Sequence, residues 1–377
     1  MSRFTRMSQN SEPPKSKLGS IVFLVGTLMA ILVLFPPWES KEERADRISS
    51  KVMKKVKMVE PDEPRLIERK KKVKDTNVKV LAIVKDINAF DKVLKESLEK
   101  SERLITQLDP LTQDGTIFNI NKKAGKEAVL LNNDEYHLLN WCKELSKKTD
   151  GRFDISQKPF YDLWKFGGIR QTIANPKELA SAKNLVGIAK LELDEENKTA
   201  HLPKEGMGLD LRLIYNALLL NQLKVDLKEA GILNYFVFAG ADSISAGTKF
   251  DHGWTVSLQH PQKALSRYGI LKSNDVAVAV NNEYSNGFEY KDKWYHPYLD
   301  PSTGQPARHS STLVVVGKDL LAAKAISISA FLLKPEEAIK HVEKWQGYEV
   351  LTMDKNGKIF MTKGMENYVV IKEEKMY

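Results

Sequence analysis

The stretch WYHPYLDPSTGQPARH, residues 294–309, sets a histidine four residues ahead of an aspartate that opens a Pro-, Ser-, Thr- and Gly-rich turn. A neutral imidazole at His296 can assist an attacking hydroxyl. Acidic residues such as Asp300 and Asp242 supply the hard oxygens a divalent cation prefers. The same DPSTGQP letters also make a sound turn with no chemistry at all, since proline and glycine suit its bends. Which reading holds depends on the elements that position these groups.

The strand NVKVLAIV is expected to begin the folded body, followed by helices over Asp86–Leu108 and Asn133–Lys148. A buried helix is predicted over Leu209–Gly231, closed by a glycine cap, with an apolar strand at Tyr235–Ala239 directly after it. Further strands fit Trp254–Leu258 and Thr312–Val316. A strongly apolar helix fits Leu320–Leu333, with a neighbour over Glu336–Trp345. Two alternating runs flank Lys355-Asn356-Gly357, a hairpin signal. Several strands are close enough to pair antiparallel, so the class is mixed α/β of the α+β kind rather than a repeated βαβ pattern.

The chain has 377 residues and a net charge of +9, from 58 Lys and Arg against 49 Asp and Glu. The basic excess lies near the amino end and no basic and aromatic stripe recurs through the body, which argues against nucleic acid as a partner. Beside a bilayer the same charge is drawn to anionic headgroups. The single cysteine, Cys142, excludes an intrachain disulfide and reads as a small buried apolar residue.

Leu18–Phe35 is an uncharged run that would span about 27 Å as a helix, close to the thickness of a bilayer core. The predicted plan is a short cytoplasmic tail (1–17), one transmembrane helix (18–35), a charged stalk or linker (36–74) and a folded domain (75–377). Basic residues lie on both sides of the run, Arg3, Arg6, Lys15 and Lys17 before it and Lys41 to Lys55 after it, so charge alone leaves the topology open.

TDGRFDISQKPFYDLWKFGG, Thr149–Gly168, together with the histidine and DPSTGQP, resembles the ApbE family, the FAD:protein FMN transferases. LDL (209–211), GAD (240–242) and Glu283-Tyr284 stand in the family's order between these matches. The resemblance implies an extracytoplasmic domain, anchored in the cytoplasmic membrane, of ApbE-like flavin transferase fold. It further implies FAD as donor, Mg2+ as cofactor and a Thr or Ser of a target protein as FMN acceptor. By the same resemblance His296 would be catalytic, with Asn121, Asp242 and Tyr284 against the cofactor; Lys324, which departs from the family, is a further candidate there.

The departures are as specific as the matches. The family's A-D-A-L-A-T-A is AKAISIS here, so Lys324 replaces a metal-holding aspartate and Ile328 a metal-holding threonine. No metal ligand is therefore assigned. The family's D-L-G-G-I-A-K-G reads DLRLIYNA, with Arg212-Leu213 for the glycine pair and Asn216 for the lysine. Asn281-Asn282 replace a serine-glycine pair. The leading expectation is a degenerate, non-catalytic binding or assembly component anchored in the membrane, with an unidentified protein partner. The alternatives are an active FMN transferase, which alone would need FAD and Mg2+, and a metal-free flavin or nucleotide binder in which Lys324 meets the diphosphate.

Overall fold

The computed structural model describes residues 63–166, 171–263, 265–284 and 287–375. The predicted tail, transmembrane helix and stalk up to residue 62 lie outside the described residues. Among the described residues no helix is long and apolar enough to cross a membrane. The chain divides into Met1–Glu63 and Pro64–Tyr377, and the second unit carries the fold described below.

That unit begins with a hairpin, β1 (Arg65–Val73) and β2 (Thr76–Val84), paired along its full length. β2 alternates, with Val78, Val80, Ala82 and Val84 buried, as expected of a strand with one face on a core. β1 falls in the segment read as stalk, so the folded body starts about ten residues earlier than the sequence suggested. Its lysines suit an edge strand, where charge guards unpaired backbone.

Helix α1 (Ile87–Leu108) starts where the Asp86 carboxylate accepts from the Ala89 amide at 2.9 Å. After α2 (Thr116–Lys122) and the two-residue β3 (Val129–Leu130) comes α3 (Asn133–Lys148), closed by an Asn132–Glu135 capping box. Short helices α4 (Lys158–Trp164) and α5 (Pro176–Ala182) follow, and then β4 (Glu192–Asp194) and β5 (Thr199–His201), of which β5 pairs with both β3 and β4. Helix α6 runs only over Tyr215–Glu229 and is preceded by a 3-10 turn at Arg212–Ile214. The helix predicted from Leu209 is shorter because the Asp210 side chain accepts from the Arg212 amide at 2.9 Å, a local bond that competes with helix.

The remaining strands are β6 (Tyr235–Ala239), β7 (Asp242–Ala246), β8 (Thr255–Gln259), β9 (Ser266–Lys272) and β10 (Ala277–Asn282). A small ribbon, β11 (Phe288–Tyr290) and β12 (Lys293–Tyr295), leads to β13 (Ser310–Gly317). Helices α7 (Leu320–Phe331) and α8 (Pro335–Val342), strands β14 (Glu349–Asp354) and β15 (Ile359–Met361), and β16 (Val369–Lys375) complete the chain. The predicted hairpin at Lys355-Asn356-Gly357 is the β14–β15 turn.

Eight strands form one antiparallel sheet in the order β1-β2-β6-β7-β10-β13-β14-β15. β13 is buried along its whole length because both faces of the sheet are covered. Leu313 and Val315 join the core shared with the helices, whereas Val314 and Val316 join a second core beneath the sheet β16-β9-β8. A third cluster, including Phe160, Trp164 and Leu299, sits under the DPSTGQP turn. Trp164 Nε1 donates to the Gly304 carbonyl of that turn at 2.8 Å, which gives the DLWKFG and DPSTGQP motifs a common structural purpose. The class is mixed α/β, as expected, in three layers: helices, a large sheet and a small sheet.

Candidate functional site

Helix α7 lies against β10 and β13 and is buried almost all round. Such a helix tolerates a polar group only where partners are supplied. Lys324 is 4% exposed. Its Nζ donates to Asp242 Oδ1 at 3.1 Å, to the Val280 carbonyl at 3.1 Å and to Asn281 Oδ1 at 3.0 Å. An ammonium has three N–H groups, so all are used. Burial pushes this ammonium's pKa down, but the charge of Asp242, Tyr298 and the hydrogen bond to Asp242 together outweigh it, and the net direction is up. Asn281 is part of the same arrangement, since its amide donates to Ser327 Oγ at 3.1 Å. The two substituted positions, 281 and 324, thus bond to each other.

Two further acids of the region repeat the pattern. Asp210 is gripped by Arg212 through three bonds of 2.5–3.0 Å, and this pair raises the arginine's pKa despite the burial that opposes it. Glu283 is buried and ion-paired to Lys355. Asp210, Asp242 and Glu283 each therefore carry a cation belonging to the chain.

His296 is 1% exposed. Its Nε2 lies 2.9 Å from the Ala307 carbonyl, and Nδ1 accepts from the Tyr298 amide at 3.3 Å. That pattern requires the neutral tautomer with the proton on Nε2. Burial, with Lys355 and Arg308 nearby, lowers its pKa to about 3, against the single opposing bond to Ala307. Its ring packs on Tyr298 and Phe331 at 5.6 and 5.7 Å between centroids. Both nitrogens of the expected catalytic histidine are committed to its own turn. The Asp300 carboxylate is likewise bonded to the Ser302 amide at 2.8 Å.

The structure brings Asp242 and Lys324 into direct contact, with His296 beside them across Tyr298 and Phe331. Asn121 serves elsewhere: its amide nitrogen donates to the Leu209 carbonyl at 2.9 Å, and its oxygen accepts the Leu209 amide at 2.6 Å. Tyr284 is 42% exposed and rests on Trp294, with 5.4 Å between centroids. All three N–H groups of the Lys324 ammonium are taken by acceptors of the chain.

Asn216, in the family's lysine position, accepts from Thr76 Oγ1 at 3.1 Å and packs beneath Gly240. Gly240 has φ +59°, and a Cβ there would lie 2.6 Å from the Asn216 amide, so both constraints call for glycine. The coupling of Asp210 to Arg212, and of Lys324 to Asp242, was missed in the sequence. A basic residue two positions after a retained acid was the available signal for the first. The second spans 82 positions and left none.

These residues do not fit a divalent metal. One oxygen, Asp242 Oδ2, is buried without a partner, but Lys324 sits on the other oxygen of the same carboxylate. A dication 4 Å from an ammonium would be repelled by about 8 kcal/mol at an effective dielectric of 20. The space bounded by Phe153, Tyr161, Asp210, Leu213 and Ile328 measures about 10 Å³, roughly enough for a single water.

Residues 74–352 match the model of the ApbE family. The chain is 26% identical over 313 residues to the FAD:protein FMN transferase of Haemophilus influenzae, covering 80% of this chain and 84% of that protein. It is 27% identical over 287 residues to the FAD:protein FMN transferase of Escherichia coli K12, covering 71% and 80%. Among solved structures, the ApbE protein of Thermotoga maritima superposes with a TM-score of 0.73 at 23% identity, covering 81% of this chain and 99% of that one. The apo flavinyl transferase ApbE of Pseudomonas stutzeri gives 0.71 at 22%, covering 81% and 96%. Both share the fold.

Proposed function

The chain belongs to the ApbE family, and from that premise we propose that it keeps the family's fold as a binding or assembly component without the transferase chemistry. The observation that carries this reading is the pairing of Asp210, Asp242 and Glu283 with Arg212, Lys324 and Lys355. FMN transfer from FAD needs positive charge brought to a diphosphate from outside the carboxylate set. Here the carboxylates are already neutralised from within. The committed ring nitrogens of His296 and the closed space beside Ile328 support the same reading. In this proposal Leu18–Phe35 anchors the chain in the cytoplasmic membrane, the ApbE-like domain faces the extracytoplasmic side, and a protein partner docks on it.

A second reading, retained FMN transfer to Thr or Ser, is favoured by the activity that names the relatives. One assay separates the two. The full chain is incubated with FAD, Mg2+ and a threonine-bearing acceptor protein, and covalent flavin fluorescence is followed on the denatured acceptor. The expected result is no transfer above the EDTA control. Transfer that requires Mg2+ overturns the non-catalytic reading.

A further inference from the structure

On the face of the large sheet away from α7, a cleft of about 380 Å³ opens between β6–β7 and the edge strand β8. That volume lies in the range of small-molecule sites. Its walls are Phe236, Phe238, Leu258, Tyr268 and Val280, and none of its fifteen described lining residues is charged. Trp254 stacks behind Phe236 at 5.9 Å and holds that wall. The composition excludes ionic ligands, because a charge placed here would lose its water and gain no counter-charge.

One polar group in the cleft lacks a partner. Ser243 is 2% exposed, lines the cleft, and its hydroxyl has no hydrogen bond. A buried hydroxyl left alone costs its desolvation, so it calls for a physical explanation. Its neighbours Ser245 and Thr312 are bonded, to Ser273 and to the Asn281 carbonyl.

We propose that this cleft binds an uncharged, ring-bearing apolar molecule whose carbonyl oxygen accepts a hydrogen bond from Ser243. Aromatic walls favour rings by offset or edge-on stacking, and the serine O–H fixes their orientation. The site lies on the opposite face of the sheet from Lys324 and His296, so it stands whether or not the domain transfers FMN.

Benzophenone, a neutral diaryl ketone that labels nearby C–H bonds on irradiation, is a direct probe. The full chain is titrated with it, irradiated, and the labelled peptides are mapped by mass spectrometry. Saturable labelling confined to residues 236–243 and 255–268 is expected, displaced by fluorenone but at least tenfold less well by its carboxylate derivative. Ser243→Ala should weaken labelling about fivefold, as for the loss of one neutral hydrogen bond. Ala241→Trp, at the exposed mouth, should abolish it while the far-UV spectrum stays native. Labelling that does not saturate, that spreads over other surfaces, or that survives Ala241→Trp in a folded protein overturns the proposal.

Discussion

Asp242 and Ser243 are consecutive residues of β7, and strand geometry sends their side chains to opposite faces of the same sheet. Under α7, Asp242 meets the Lys324 ammonium and the Val280 amide. On the other face, Ser243 borders the cleft and its buried hydroxyl has no partner. Both are almost fully buried, so the contrast is between a carboxylate with one oxygen ion-paired and a hydroxyl with no partner at all, not one of exposure. Under α7 the Lys324 ammonium, Asn281 and Asp242 Oδ1 are tied to one another, and so that arrangement is suited to holding shape. The cleft keeps a hydrogen-bonding capacity in reserve, as a receiving site does.

The sharpest way to break this comparison is to remove the internal cation. Lys324→Met leaves the Asp242 carboxylate buried and uncompensated, which should cost about 3–5 kcal/mol in urea unfolding. Lys324→Met combined with Asp242→Asn should recover most of that, because the charge is then removed together with its partner. If the single variant unfolds like wild type, the helix layer is not held by this pair.

The next effect concerns pH. The folded pKa of His296, about 3, lies below the ordinary value near 6.5. The unfolded chain therefore binds the extra proton first as pH falls. Stability from this residue is complete above pH 6.5 and is lost progressively between 6.5 and about 3. At pH 5 the loss is about 2 kcal/mol. His341, lowered to about 4 by burial with Arg152 and Lys344 nearby, adds in the same direction. Stability of His296→Gln measured from pH 7 to 5 should fall less steeply than that of wild type. An unchanged slope would show that the imidazole is not held neutral.

The smallest expected change is on the other face. Ser243→Ala removes a hydroxyl that makes no bond, so its stability should stay within about 0.5 kcal/mol of wild type. A loss above 1.5 kcal/mol would mean that the hydroxyl is already bonded, and the contrast between the faces would vanish.

Much of the fold was legible because its signals are local. The helix over Ile87–Leu108, the apolar strand at 235–239 and the turn at Lys355-Asn356-Gly357 each follow from periodicity or turn chemistry within a short window. β1 was not legible, since RLIERKKKV has too few apolar residues to alternate and becomes a strand only by pairing with β2. The site was half legible. The replacements at 212, 281 and 324 could be read as losses from a family pattern. What they form instead could not, because Lys324 reaches Asp242 and Asn281 across the tertiary fold. A lone lysine letter does not say whether its ammonium points outward to a ligand or inward to an acid.

The two bonds from Asn121 to the backbone of Leu209 have a consequence for the route by which the domain folds. They close a loop of 88 residues with one side chain, an ordering step that costs about 4 kcal/mol in chain entropy before any constant is added. Such a clasp closes only when both of its ends are already positioned, and it belongs to the late side of the folding barrier. Asn121→Ala should therefore speed unfolding more than it slows folding, visible as a raised unfolding limb in denaturant-jump kinetics. The segment that carries Asp210 would then be the last part of this layer to lock and the first to let go.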